Sequence, residues 1–321
     1  MRKKLLFIFN PKSGKAAIQK DLLSILEFYN SKGFLVTAYP TQCAGDARNF
    51  MSNLPEHYDL IVTAGGDGTM NEVACGMIES GQTQILSYIP MGSTNDFGAS
   101  IGVHAGNLYR ALDTSVNGRL MALDVGCLNE RNFIYVAAFG LFTDVPYTTP
   151  QKLKNSLGYA AYVLQGVKAL TELKAIHLIL SHDDETIEGD FIVGLVTNSF
   201  QVSGFKNPVA QVTQLNDGLM ECLFIKMPNN IFEMNGIITA LLSGNVMEND
   251  HFVTIQTSHL HIRGADVSWT LDGEYGGTYD EMDISIDANR MPMHIYDDGH
   301  LANKLVLPDP EPDDDAAGGC V

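Results

Sequence analysis

Between Lys4 and Thr114, short apolar runs alternate with stretches whose apolar residues recur every three or four positions, and few folds accept that pattern. Lys4 to Phe9 reads as a strand. Ile18, Leu22, Leu26 and Tyr29 fall on one helical face, and Phe34 to Tyr39 reads as a second strand. The β-α-β unit then repeats. It gives a helix from about Asp46 to Asn53, a strand from Asp59 to Thr63, a helix opening near Met70, a strand from Gln84 to Ile89 and a helix near Asn107 to Thr114. Strands alternating with helices argue for an α/β fold with a parallel, doubly wound sheet. Such a sheet binds ligands at the carboxyl ends of its strands.

After Leu120 the pattern changes to longer β-rich stretches: Phe133 to Ala138, Ala175 to Ser181, Thr186 to Thr197, Gly218 to Lys226, His251 to Ile262 and Met282 to Ile286. Turn residues such as Asn207-Pro208, Asn216-Asp217-Gly218 and Gly276-Gly277 separate them, and helical intervals fall near Ser156 to Glu172 and Ile231 to Leu242. An antiparallel β-sandwich is the expected product. A chain of 321 residues, 45% of them hydrophobic, suits two domains.

Charge and composition exclude several classes. A formal net charge of −18 disfavours nucleic acid, whose phosphates require a basic surface, and confines any membrane contact to a local patch. Gly236 to Leu242 and the other apolar runs fall short of the roughly 20 residues a membrane-spanning helix needs. Leu5 to Phe9 is followed by no small-residue cleavage site, so it reads as a buried strand rather than a secretory signal. The five cysteines are scattered, with no Cys-x-x-Cys, as expected of reduced thiols in the cytoplasm. His259 and His261 would share a strand face but lack zinc-ligand spacing. The acidic, proline-rich stretch from Pro308 to Asp315 is expected to be disordered, and Cys320 is not placed for C-terminal lipidation.

Three loops fall at carboxyl ends of first-domain strands: Asn10-Pro11-Lys12-Ser13-Gly14-Lys15, Gly65-Gly66-Asp67-Gly68-Thr69, and Pro90-Met91-Gly92-Ser93-Thr94-Asn95-Asp96. The first offers small residues and lysines for phosphate oxygens. The second offers glycines, free to take positive φ and to expose bare N–H groups, around the carboxylate of Asp67. The third adds Thr94, Asn95 and Asp96. Phosphate donors beside carboxylates point to a nucleotide with magnesium, because the metal bridges charges that would otherwise repel. Each loop also has a plain structural use: a glycine turn, a solvated lysine, or a helix cap at Asn95-Asp96.

The sequence lacks the Gly-x-x-x-x-Gly-Lys-Ser/Thr and Gly-x-Gly-x-x-Gly fingerprints. It resembles instead the diacylglycerol kinase catalytic family. Gly65 to Val73 is similar to that family's nucleotide loop, Pro90 to Gly98 to its second signature, and Asn10 to Lys15 to its opening. Asn216-Asp217-Gly218-Leu219 and Leu271-Asp272-Gly273-Glu274-Tyr275-Gly276-Gly277 resemble its two second-domain motifs. The resemblance implies ATP-dependent phosphorylation of the primary hydroxyl of diacylglycerol, giving phosphatidic acid, in an inter-domain cleft with Mg2+. It implies residues 1–122 with about 294–307 as the nucleotide-binding domain, 123–293 as the lipid-substrate domain and 308–321 as a tail.

In that scheme Asn10, Ser13, Gly14, Lys15, Gly65, Gly66, Asp67, Gly68, Thr69, Thr94 and Asn95 bind the nucleotide. Glu274 is the general base, Asp272 and Asp96 complete the catalytic set, and Asp217 with the Leu219 carbonyl holds a structural magnesium. From the residues alone, Asp272 and Glu274 share a face if they lie on a regular strand, and otherwise form a solvated hairpin. Asn216, where the family often has aspartate, lowers the charge at the metal. Ala99 stands where it often has arginine.

An acceptor such as diacylglycerol implies transient contact with the inner membrane surface. Lys152, Lys154 and Lys168 flank the apolar Leu157 to Leu164 and offer a basic, apolar contact, though a core helix would read the same way. A homodimer is one assembly the reading admits. The alternatives are a nicotinamide dinucleotide kinase, which shares a Gly-Gly-Asp-Gly loop but places its Asn-Glu pair further downstream, a sphingoid-type lipid kinase, and a nucleotide-binding regulator without turnover.

Overall fold

The computed structural model describes residues 2–16, 18–140, 174–199, 201–202, 205–206 and 213–296. Its first strand, β1 (Lys3–Phe9), is buried from Leu5 onward, as an unbroken apolar run must be when helices cover both faces of a sheet. β1 lies between β2 (Phe34–Pro40) and β3 (Leu60–Gly65), and β4 (Leu86–Pro90) follows β3, all in parallel. The helices are α1 (Ile18–Ser31), α2 (Asp46–Ser52), α3 (Asp67–Glu79), α4 (Asp96–Ser100) and α5 (Leu108–Asn117). On α1 the predicted stripe is the one that packs: Ile18, Ile25 and Tyr29 are buried, with Leu22 and Leu26 partly so. Phe7, Tyr29, Ile61, Met70 and Tyr88 belong to this first core. Each large apolar side chain sunk in it contributes about 1.5–3 kcal/mol.

The chain continues through β5 (Arg119–Leu128), β6 (Arg131–Phe133), β7 (Val136–Gly140), β8 (Ile176–His182), β9 (Glu185–Thr197), the short pair β10 (Gln201–Val202) and β11 (Phe205–Lys206), and β12 (Met220–Lys226). Helix α6 (Ile231–Ser243), β13 (Phe252–Thr257), β14 (His259–Leu271) and β15 (Glu274–Ile295) complete it. A second core gathers Phe139, Phe191, Phe224, Leu260, Trp269 and Met282. Apart from the separate pair β10–β11, the antiparallel strands are hydrogen-bonded into the same sheet as the parallel ones, in the order β13-β12-β9-β7-β14-β15-β4-β3-β1-β2, with β5, β6 and β8 pairing off this path. The junction is β15, which is 22 residues long. It pairs with β14 over its first half and β5 over its second, and Met293 lies parallel to Leu86 of β4.

Three expectations about strand boundaries change. Gly276-Gly277 does not end a strand; it lies inside β15, where the register against β14 slips between Trp269 and Thr270, so the extra residue becomes a bulge. Met282 to Ile286 is the middle of that strand. Phe133 to Ala138 divides at Ile134-Tyr135, whose amides turn toward a side chain instead of a neighbouring strand. The helix from Ser156 to Glu172, the lysines at 152, 154 and 168, residues 297–307 and the tail lie outside the described residues. Among the described residues no helix is long and apolar enough to cross a membrane.

Candidate active site

The loops after β1, β3 and β4 meet at one edge because their strands are neighbours. Asn10 N–H donates to the Ala64 carbonyl at 3.0 Å, and Met91 N–H donates to the Gly65 carbonyl at 2.7 Å. The glycines here serve closeness. Gly65, Gly66 and Gly68 are absent from the positive-φ residues, contrary to expectation. A Cβ on Gly65 would sit 2.7 Å from the Thr69 side chain, and one on Gly92 would sit 2.6 Å from Gly66 Cα. The loops touch backbone to backbone. Gly14 does take positive φ, 55°, in the 3-10 turn Ser13–Ala16 that also contains the Lys15 backbone. Asn10 Oδ1 accepts from Lys12 N–H at 2.9 Å, closing the entry to that turn.

In the third loop the candidates divide. Thr94 is exposed, whereas Asn95, at φ 57°, spends its side chain on the loop itself. Its Oδ1 accepts from Gly92 N–H at 2.8 Å and from the Tyr88 hydroxyl at 3.3 Å, and its Nδ2 donates to the Gly92 carbonyl at 2.8 Å. Asp67 turns its carboxylate to the start of α4, accepting from Asp96 N–H at 3.2 Å and Phe97 N–H at 3.3 Å. Burial first, and the neighbouring Asp96 second, raise the Asp67 pKa. Asp96 is itself 3% exposed. Two carboxylates therefore share one corner at the start of α4, and Asp67's oxygens are engaged by α4 amides.

Asp272 and Glu274 do not share a strand. Asp272 and Gly273 form the two-residue turn between β14 and β15, at φ 49° and 88°, with Leu271 opposite Glu274. Asp-Gly suits such a turn because both positions need positive φ. The turn is not solvated either: Asp272 is 4% exposed. Its carboxylate accepts from Ile134 N–H at 2.7 Å, Tyr135 and Val136 N–H at 3.0 Å each, and Asn71 Nδ2 at 2.5 Å. Burial nevertheless raises its pKa to about 6 against those donors. A carboxylate so enclosed braces the hairpin and has no oxygen to offer a substrate.

Glu274 is exposed, and its Oε1 lies 3.7 Å from where a Cβ on Gly68 would stand. Partial burial first, and Glu72 second, raise its pKa, opposed by Arg131 and Arg48. Glu72 is fixed by Gly45 and Ala47 N–H at 2.8 and 3.1 Å, and Arg48 pairs with Glu79. Asn71 and Glu72 lie within the Gly65 to Val73 motif, which by itself assigns them no role. Helical spacing was the available signal, since residues 68, 71, 72 and 75 share one face of α3.

Asp217 and Leu219 are adjacent, with Leu219 N–H donating to Asp217 Oδ1 at 3.0 Å. Beside them stands Asp124, missed in the sequence although it interrupts the apolar run Leu123-Asp124-Val125. Its carboxylate accepts from Gly218 and Asn289 N–H, both at 2.7 Å, and burial raises its pKa to about 6. Among the described residues, Asn198 Oδ1 and Glu221 Oε2 are buried nearby without a hydrogen-bond donor. Asn198 Nδ2 spans the carbonyls of Asp124 and Leu215, and Glu221 feels the Asp217 charge. Among the described residues no three metal-ligating side chains gather closely enough to cage an ion.

Comparison with known proteins places this arrangement among kinases. The diacylglycerol kinase catalytic domain family matches residues 4–128. A Bacillus subtilis protein named diacylglycerol kinase is 33% identical over 277 residues, covering 86% of this chain and 91% of that one. A Staphylococcus aureus protein of the same name is 33% identical over 311 residues, 95% of each chain. The crystal structure of a diacylglycerol kinase from Bacillus anthracis superposes with a TM-score of 0.76 at 21% identity, covering 92% of this chain and 97% of that one, and shares the fold. The chain belongs to the diacylglycerol kinase family.

Proposed function

We propose that this kinase transfers the γ-phosphoryl group of ATP to the primary hydroxyl of a diacylglycerol, yielding phosphatidic acid. The reading rests above all on Glu274, whose Oε1 lies 3.7 Å from where a Cβ on Gly68, in the first turn of α3, would stand. Phosphate oxygens would meet the bare amides of that turn, with Gly65, Gly66 and Thr69 shaping it, Asn10, Ser13, Gly14 and Lys15 on the β1 side and Thr94 on the β4 side. Asp67 no longer needs a metal to stand in an anion site, since its oxygens face α4. The acceptor hydroxyl oxygen forms a bond to the γ-phosphorus as the bond to the bridging oxygen breaks and ADP leaves. Glu274 aims the hydroxyl and takes its proton late in the step, so a raised carboxylate pKa suits the task.

Mg2+ fits the hard oxygens present. Asp217 and the Leu219 carbonyl are donors it favours, the ion retains several waters, and the crowded charge of Asp217 and Asp124 is the kind a cation relieves. When bound, it would neutralise negative charge near the crevice. Residues 1–122 with 294–307 would carry the nucleotide and 123–293, as a sandwich-type lipid domain, the acceptor, presented at a membrane surface; a homodimer is part of the same proposal.

The test is phosphatidic acid formation from labelled ATP, Mg2+ and detergent-dispersed diacylglycerol. Glu274→Gln is expected to cut kcat by roughly 100-fold or more with ATP affinity near normal. Full turnover by this variant would remove Glu274 as base, and NADP formation from NAD would replace the lipid reading.

A further inference from the structure

Helix α3 presents Gly68, Asn71 and Cys75 at spacings of three and four, hence on one face. That face runs along the hairpin and β6. Gly68 lies beneath Glu274, Asn71 Nδ2 donates to Asp272 Oδ2 at 2.5 Å, and Cys75 Sγ meets the Asn132 carbonyl at 3.6 Å. Of the donors to Asp272, Ile134 and Tyr135 lie in the β6–β7 connection and Val136 opens β7, while Asn71 comes from the helix that begins at the glycine loop. The bond is buried at both ends, with Asn71 9% and Asp272 4% exposed. Asp272 is itself fixed, by its turn conformation and by its N–H donating to the Val136 carbonyl at 2.8 Å. A shift of Asp272 therefore carries Glu274, two residues on, with it.

We propose that Asn71 is a positioning residue for phosphoryl transfer. Acting through Asp272, it sets the height of Glu274 above the first turn of α3, so that one buried hydrogen bond holds the base and the glycine loop in register. Asparagine is suited to the place. Its amide donates to a carboxylate without adding charge, whereas aspartate would repel Asp272 and alanine would leave that buried carboxylate one donor short. The consequence belongs to kcat, because a displacement of the base by about 1 Å costs on the order of 100-fold in rate without touching the nucleotide.

The inference rests on Glu274 acting as base, and the variants separate the two ideas. Asn71→Ala is expected to lower kcat by roughly 30-fold with KM for ATP within about twofold. Asn71→Asp is expected to lose activity at pH 8 and regain much of it toward pH 6, because two facing carboxylates share one proton and rebuild the bond. Combining Asn71→Ala with Glu274→Gln should be no slower than Glu274→Gln alone. Wild-type kcat in folded Asn71→Ala, a loss appearing in KM for ATP, or multiplicative losses in the double variant would each overturn the proposal. If Asn71→Ala does not fold, a flat pH profile in Asn71→Asp overturns it. A fully active Glu274→Gln would instead defeat the assignment of the base.

Discussion

Gly68→Ala should separate activity from stability. Beyond its own helix, the contact the added methyl would make among the described residues is with Glu274 Oε1 at 3.7 Å, ordinary van der Waals distance, and Gly68 has a φ that alanine accepts. Because the position lies in the first turn of α3, replacing glycine there gains about 0.5–1 kcal/mol from lower unfolded-state entropy and better helix propensity. The same methyl stands between the glycine loop and the base, where the transferred group must pass. Turnover is therefore expected to fall by roughly 100-fold while stability holds or rises. Gly92→Ala is the contrast. Its Cβ would meet Gly66 Cα at 2.6 Å and Asn95 Oδ1 at 2.8 Å, both rigid, and overpacking of that kind costs about 1–3 kcal/mol. Urea unfolding followed by the one tryptophan, Trp269, and by circular dichroism for the helices reads stability, and phosphatidic acid formation reads turnover. Undiminished activity in Gly68→Ala would show that the space above Gly68 is not on the reaction path. A loss of stability matching Gly92→Ala would refute the packing argument.

Two further outcomes follow from buried charge. Burial lifts Asp124 and Asp272 to about 6 from 3.8 and Glu221 to about 7 from 4.5, so between those values the folded chain binds more protons than the unfolded one, and stability falls as pH rises. The melting temperature should drop from pH 5 to pH 8, less steeply in Glu221→Gln, and a flat or rising trend would refute it. Mg2+ should raise the melting temperature of the wild type and not of Asp217→Asn; equal shifts in both, measured against EDTA, would remove Asp217 from the metal site.

The parallel half of the fold was legible because Lys4 to Phe9 and Leu60 to Thr63 have no polar face, and only a doubly covered sheet buries such runs. The glycine loop does follow a strand as read, but its glycines serve another end: Gly65 leaves room for the Thr69 side chain, and Gly92 lets its loop approach Gly66, a contact between two segments that one segment cannot display. Asp272 misled because period-two reasoning assumes a strand, while Asp-Gly between Leu271 and Glu274 is a turn signal of equal strength. Asp124 and Asn71 were silent because their partners lie 94 and 201 residues away in sequence. Single polar residues inside apolar or helical runs have meaning only once the chain has closed.

The length of β15 bears on how the crevice can open. Glu274 heads this strand and Met293, near its end, is stitched to β4, so no slack linker separates the base from the parallel sheet. Relative movement has to be a flexing of the strand. The pairing with β5 is interrupted by the register slip between Asp287 and Met291, where Asn289 sits at φ 54° and its N–H donates to Asp124 Oδ1 at 2.7 Å. The acidic group around Asp124 and Asp217 thus borders the one long strand that also carries Glu274, so the metal-site carboxylates and the base are parts of a single continuous backbone element.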